Sequence, residues 1–153
     1  MRWVRVKTQN GPSYGIINND IISLVRGNLF ETIELTGEEI KLANAKIMVP
    51  LEPKTFYAAG LNYAQHVIEQ AKANNREPNI PDEPHVGYRA NNALIADGEP
   101  IIKPNDSSEE FQYEGELVVI IGKKGKNLTE EEALDIVFGY SIGNDISERK
   151  WQR

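Results

Sequence analysis

Phe111-Gln112-Tyr113-Glu114-Gly115-Glu116-Leu117-Val118-Val119-Ile120-Ile121 is the clearest strand in the chain. It is bounded by two turns, the polar Asn105-Asp106-Ser107-Ser108 and the basic Gly122-Lys123-Lys124-Gly125-Lys126. In a strand, residues i and i+2 point to one face. Glu114 and Glu116 therefore project together from a segment that then turns fully apolar. Side-by-side carboxylates near a core repel each other and are costly to desolvate. A divalent cation removes that cost. Mg²⁺ and Ca²⁺ take oxygen ligands, and Mg²⁺ keeps waters or substrate oxygens in its shell. Gly115 has no side chain and leaves room for a close approach. Asp145, in the turn Gly143-Asn144-Asp145, adds a third carboxylate and an incomplete octahedral set. The competing reading puts both glutamates in water on an edge strand and makes Asp145 ordinary turn chemistry. Spacing alone does not decide between them.

Downstream, Thr129 and Glu132 stand at capping-box spacing and open a helix that ends before Gly139. Its acidic first turn suits the helix dipole. Residues 140–142 read as a last strand. Upstream, residues 86–95 and 100–104 read as short irregular strands, and Pro78-Asn79-Ile80-Pro81-Asp82-Glu83-Pro84 is a loop. Thr55-Phe56-Tyr57-Ala58-Ala59 is an apolar strand ending at Gly60. A helical run over residues 64–74 follows, with Asn62 as its N-cap.

The first fifty residues form a meander. Trp3-Val4-Arg5-Val6, Tyr14-Gly15-Ile16-Ile17 and Ile21-Ile22-Ser23-Leu24-Val25 are strands, separated by Asn10-Gly11-Pro12 and Asn18-Asn19-Asp20. This stretch, residues 1–50, holds no titratable cluster and reads as a small N-terminal β subdomain. Residues 51–153 make the second domain.

Composition narrows the function classes. Of 153 residues, 40 % are hydrophobic and 26 % charged, as in ordinary globular chains. The net charge of −6 repels phosphate backbones and argues against nucleic acid. The absence of cysteine excludes disulfides, zinc-thiolate sites and a thiol nucleophile, and suits the cytoplasm. No stretch approaches the roughly 20 apolar residues of a membrane helix, so no membrane partner is expected.

His66 and Glu69 are three apart on the helical run and share a face. A carboxylate-held imidazole is a common general base. A lone HxxE is also an ordinary surface pair, and in helix bundles it ligates metal. His85, in the proline-rich loop, reads as solvated.

Leu61-Asn62-Tyr63-Ala64-Gln65-His66-Val67-Ile68-Glu69 resembles the NYxxHxxE segment of the fumarylacetoacetate hydrolase family. Tyr113-Glu114-Gly115-Glu116-Leu117 resembles its yEgEL segment, and residues 139–149 its GytvgNDvsaR segment. The resemblance runs over residues 50–153, with the motifs in family order. It implies an α+β, mostly β fold: a mixed β-sandwich roll with a small N-terminal β subdomain. It implies that Glu114, Glu116 and Asp145 ligate Mg²⁺ or Mn²⁺, with Ca²⁺ admitted by the same oxygens. It implies that His66 and Glu69 form the dyad that activates water, on a helix acting as a lid. Arg149 and Gln152 match positions near the substrate's acid group. The expected activity is hydrolysis, decarboxylation or isomerisation of small 2-oxo or enol acids, in the catabolism of aromatic-derived dicarboxylates. A homodimer is implied.

Two departures stand out. Where many members have Phe-x-Lys, this chain has Val86-Gly87-Tyr88-Arg89. Arg89 keeps the charge but stays protonated, so it serves as a substrate-binding candidate only. Members also continue past the last ligand with a lysine-bearing segment and more strands. The chain ends at Lys150-Trp151-Gln152-Arg153, so the roll is expected to be incomplete at its C-terminus, as a fragment or a natural truncation. Exposed strand edges and apolar faces should follow. The alternatives to an enzyme are a truncated, non-catalytic binding or assembly module and a calcium-binding structural domain.

Overall fold

The computed structural model describes residues 1–152. Strands β1 (Arg2–Thr8), β2 (Gly11–Asn18), β3 (Ile21–Gly27), β4 (Ile33–Lys41) and β5 (Lys46–Ile47) form one sheet in the order β4-β3-β2-β1-β5. The expected meander is present, and a further strand, β4, joins it at the edge. Gly27 makes the turn into β4. Its φ is +106°, and a Cβ there would collide with the Thr32 carbonyl oxygen. Val4 and Val6 of β1 and Ile22, Leu24 and Val25 of β3 are buried, with Val6 and Ile22 fully so. Full burial of such a side chain is worth about 1.5–3 kcal/mol. Arg5 is buried between Val4 and Val6, and its guanidinium ion-pairs with exposed Glu52 at 2.7 Å.

The chain divides into two compact units. One holds Met1–Ile22 and Glu39–Gly98; the other holds Ser23–Glu38 and Glu99–Arg153.

In the first unit, β6 (Phe56–Gly60) pairs antiparallel with β7 (His85–Arg89), Tyr57 opposite Tyr88. The two phenol rings lie 5.0 Å apart. Their hydrogen bond raises the Tyr57 pKa above its ordinary value. Helix α1 (Ala64–Ala73) buries Val67 and Ala71, a one-turn stripe. Its cap is Tyr63, without a side-chain hydrogen bond, and not Asn62. Leu61, with φ of 52°, turns the chain between β6 and Asn62. Of residues 86–95, only β7 is strand; Asn91–Ala93 is a 3₁₀ turn, and residues 100–104 have no strand.

In the second unit, the strand expected over residues 111–121 is broken. It becomes β8 (Phe111–Gln112) and β9 (Gly115–Ile121), with Tyr113 and Glu114 in the gap. The break marks a change of partner. β8 pairs with β11 (Ser147–Glu148), whereas β9 pairs with β10 (Val137–Asn144). The apolar run then alternates. Glu116, Val118 and Ile120 are half-buried, whereas Leu117, Val119 and Ile121 are exposed. Tyr140 and Ile142 stand opposite Val119 and Leu117 and extend this open apolar face. Helix α2 (Glu130–Asp135) starts with the expected capping box: Thr129 Oγ1 accepts from the Glu132 amide, and Glu132 accepts from the Thr129 amide. Gly122 packs where a Cβ would meet Phe138, whose ring meets Phe30 edge-on at 5.0 Å. No helix among the described residues is long and apolar enough to cross a membrane.

Candidate functional site

Glu114 sits where β8 hands over to β9, and Asp145 where β10 hands over to β11. The two partner changes face each other. The Asp145 amide donates to the Glu114 carbonyl at 2.9 Å, and the Glu114 amide donates to Asn144 Oδ1 at 3.1 Å. Two residues 31 positions apart in number are thereby held side by side by the backbone, which rigid ladders on both flanks support.

The Glu114 carboxylate is about 29 % exposed and heavily held. Its Oε1 accepts from Ser147 Oγ at 2.8 Å and lies 3.0 Å from Arg149 Nη1. Arg149 is held from further sides: Nε donates to Gln112 Oε1 at 2.9 Å and Nη1 to Gln152 Oε1 at 3.1 Å. Arg149 and Gln152, expected at the substrate's acid group, thus gather around Glu114 and Gln112. A cavity of about 400 Å³ lined by Phe111, Gln112 and Tyr113 borders this cluster. Gln112 was not foreseen. Only its cross-strand pairing with Ser147, two residues before Arg149, puts it there.

Glu116 is half-buried in β9, opposite Gly143. Three carboxylates, with no sulfur and no imidazole among them, form a hard donor set of the kind Mg²⁺ and Mn²⁺ prefer. The space over Gly115 is open. The donors fit such an ion in chemistry. Among the described residues, however, no three acidic or histidine side chains converge in this conformation into a ready cage.

Glu148 is the buried carboxylate of the region, 7 % exposed. It accepts from the Ser108 amide and hydroxyl, both at 2.7 Å, and from the Lys150 amide at 2.9 Å. Burial pushes its pKa up, but the Ser108 and Lys150 hydrogen bonds and the Lys150 charge outweigh burial and hold it below the ordinary value. It pins the 108–110 loop to the Glu148-Arg149-Lys150 turn.

His66 and Glu69 belong to the other unit, on the exposed side of α1. They are not bonded to each other. Gln70 Nε2 lies 2.8 Å from His66 Nε2, with the amide donating, and Gln65 donates to Glu69 at 2.8 Å. Both contacts are i,i+4, the closest spacing on a helix face, and each glutamine takes one member of the expected dyad. Arg89 is half-buried at the end of β7, opposite Phe56. His85 is exposed, as expected, but opens β7 opposite Gly60.

The chain matches the family "Fumarylacetoacetate (FAA) hydrolase C-terminal" over residues 55–153. It belongs to the fumarylacetoacetate hydrolase family. Residues 1–50 match "Rv2993c-like, N-terminal". A fumarylacetoacetate hydrolase domain-containing protein 2 homolog of Dictyostelium discoideum is 43% identical over 118 residues, 77% of this chain and 36% of that protein. The mitochondrial oxaloacetate tautomerase fahd2 of Xenopus laevis is 35% identical over 111 residues, 72% of this chain and 33% of that protein. Among solved structures, 5-carboxymethyl-2-hydroxymuconate delta-isomerase from Mycobacterium smegmatis superposes with a TM-score of 0.84 at 29% identity, over 100% of this chain and 58% of that one. The fold is therefore that of the fumarylacetoacetate hydrolase family: mixed and mostly β, with two α-helices among the described residues. This chain spans about a third of each of those two curated relatives and over half of the solved structure.

Proposed function

We propose that this chain carries the metal-holding part of an enzyme that acts on small 2-oxo or enol carboxylic acids. The observation that carries the reading is the backbone tie between Glu114 and Asp145, which sets two carboxylate-bearing residues side by side on rigid strand ends. Glu114, Glu116 and Asp145 would hold Mg²⁺ or Mn²⁺. When bound, the ion supplies Lewis acidity to the substrate's oxo and carboxylate oxygens.

The chain's own residues do the rest. Arg149, fixed at Nε and Nη1, keeps Nη2 for an acid group, and Gln152 adds a donor. His66 moves the proton, and Glu69 orients it once the two glutamines release them; catalytic hydrogen bonds often tighten only around substrate. The tautomerase and isomerase among the relatives support enolisation as the shared step. Decarboxylation breaks a different bond next to the same enolate, and hydrolysis in addition adds a water, which the His66–Glu69 pair would activate. Catabolism of aromatic-derived dicarboxylates is the setting this chemistry suits. The open apolar face of Leu117, Val119, Ile121, Tyr140 and Ile142 supports assembly as a homodimer.

A second reading is a non-catalytic module of the same fold. It is favoured by one observation: His66 and Glu69 are each bonded to a glutamine.

The test is calorimetric titration of Mn²⁺ into the wild type and Glu116→Ala. Removing a ligand should weaken binding by at least the roughly tenfold that an outer-shell change costs. Equal affinity in the two proteins removes the metal assignment.

A further inference from the structure

Ser147 is buried, at 7 % exposure, in the short strand β11. Its hydroxyl oxygen lies 2.8 Å from Glu114 Oε1 and 3.2 Å from the Asp145 carbonyl. One side chain thus touches two of the three carboxylate-bearing residues. Arg149 shares the same Glu114 oxygen at 3.0 Å. A carboxylate oxygen has two lone-pair sites, so Oε1 is filled. Oε2 has no hydrogen-bond partner among the described residues.

We propose that Ser147 is a positioning residue of the metal centre: with Arg149 it fills Glu114 Oε1 and orients the carboxylate so that Oε2 would be left open for an ion. The inference rests on the metal-binding reading above. Its physical basis is rotamer freedom. The Glu114 backbone is tied to Asn144 and Asp145, but its long side chain is free to turn unless a partner holds it. Glutamate loses considerable side-chain entropy when ordered. A hydroxyl fixed on a buried strand restrains this one carboxylate, and Glu116 and Asp145 would turn toward it when an ion binds. Outer-shell donors to ligating carboxylates act in this way and set affinity through geometry. Ser147 is suited to it because its own position is locked by pairing with Gln112.

The experiment is Mn²⁺ titration by calorimetry on the full chain, with wild type, S147A, S147T, S147C and E114Q. Circular dichroism and thermal unfolding verify folding. S147A should lose about tenfold in affinity, and S147T, which keeps the hydroxyl, should stay within about twofold of wild type. If S147A does not fold, S147C decides: it keeps the shape but donates weakly, and it should also lose affinity. Wild-type affinity in folded S147A or S147C, with E114Q impaired, overturns the role of Ser147 and leaves the metal reading standing. An equal loss in S147T and S147A also overturns it, because the hydroxyl would then not matter. Wild-type affinity in E114Q overturns the metal reading itself and the inference with it.

Discussion

Arg149 Nη1 lies 3.0 Å from Glu114 Oε1, and both side chains are only about a quarter exposed. The guanidinium is gripped by three acceptors: Gln112 at Nε, and Gln152 and Glu114 at Nη1. The charge pair alone would leave the cation free to swivel. The two glutamines fix its plane.

Arg149→Lys keeps the charge but replaces a planar fork with a point charge. It cannot reach Gln112, Gln152 and Glu114 together. Urea denaturation should show a loss of about 1 kcal/mol. Unchanged stability would mean that the two glutamine contacts contribute nothing.

His66→Ala should separate metal binding from turnover. The residue lies on α1, in a different unit from Glu114. Mn²⁺ affinity should be unchanged, while turnover of an enolisable 2-oxo acid should fall about 100-fold or more. Normal turnover would remove His66 from the chemistry and strengthen the non-catalytic reading.

Glu148 gives the region an acid sensitivity of defined sign. Its folded pKa lies below the ordinary 4.5, so the unfolded chain takes up protons first on acidification. Its stabilising effect is therefore complete above that ordinary value and is lost as pH falls through the lower, folded value. Glu148→Gln should melt earlier than wild type at neutral pH. The difference should shrink as pH drops below 4.5. Thermal unfolding of both proteins across that range is the measurement; a constant gap would show that the carboxylate's charge is irrelevant.

Thr129→Ala removes the hydroxyl that accepts from the Glu132 amide. Loss of such a cap costs about 1 kcal/mol. Hydrogen exchange at the first amides of α2 should accelerate, and the Glu132 pKa, held below its ordinary value by the Thr129 amide and hydroxyl, should rise toward it. Unaltered exchange would show that packing alone holds the helix.

What the sequence determined by itself is whatever depends on near neighbours. The Thr129–Glu132 box is such a feature: its partners are three apart, and any helix starting there brings them together. The turns at Asn10-Gly11 and Asn19-Asp20, the span of α1 and the order of the family motifs are equally local. Pairing decided the rest. An unbroken strand over residues 111–121 is what local preference favours, yet it breaks at Tyr113 and Glu114 because β8 and β9 answer to different partners beyond residue 136. The same break puts Glu114 against Asp145, brings Gln112 to Arg149 and gives Ser147 its contact with Glu114. On α1, helical spacing offered His66 two neighbours, Glu69 and Gln70, and only the folded side-chain arrangement chose the glutamine. Hydrogen bonds between distant strands carry no short-range periodicity, so the candidate carboxylates were legible in the sequence and their geometry was left to the tertiary structure.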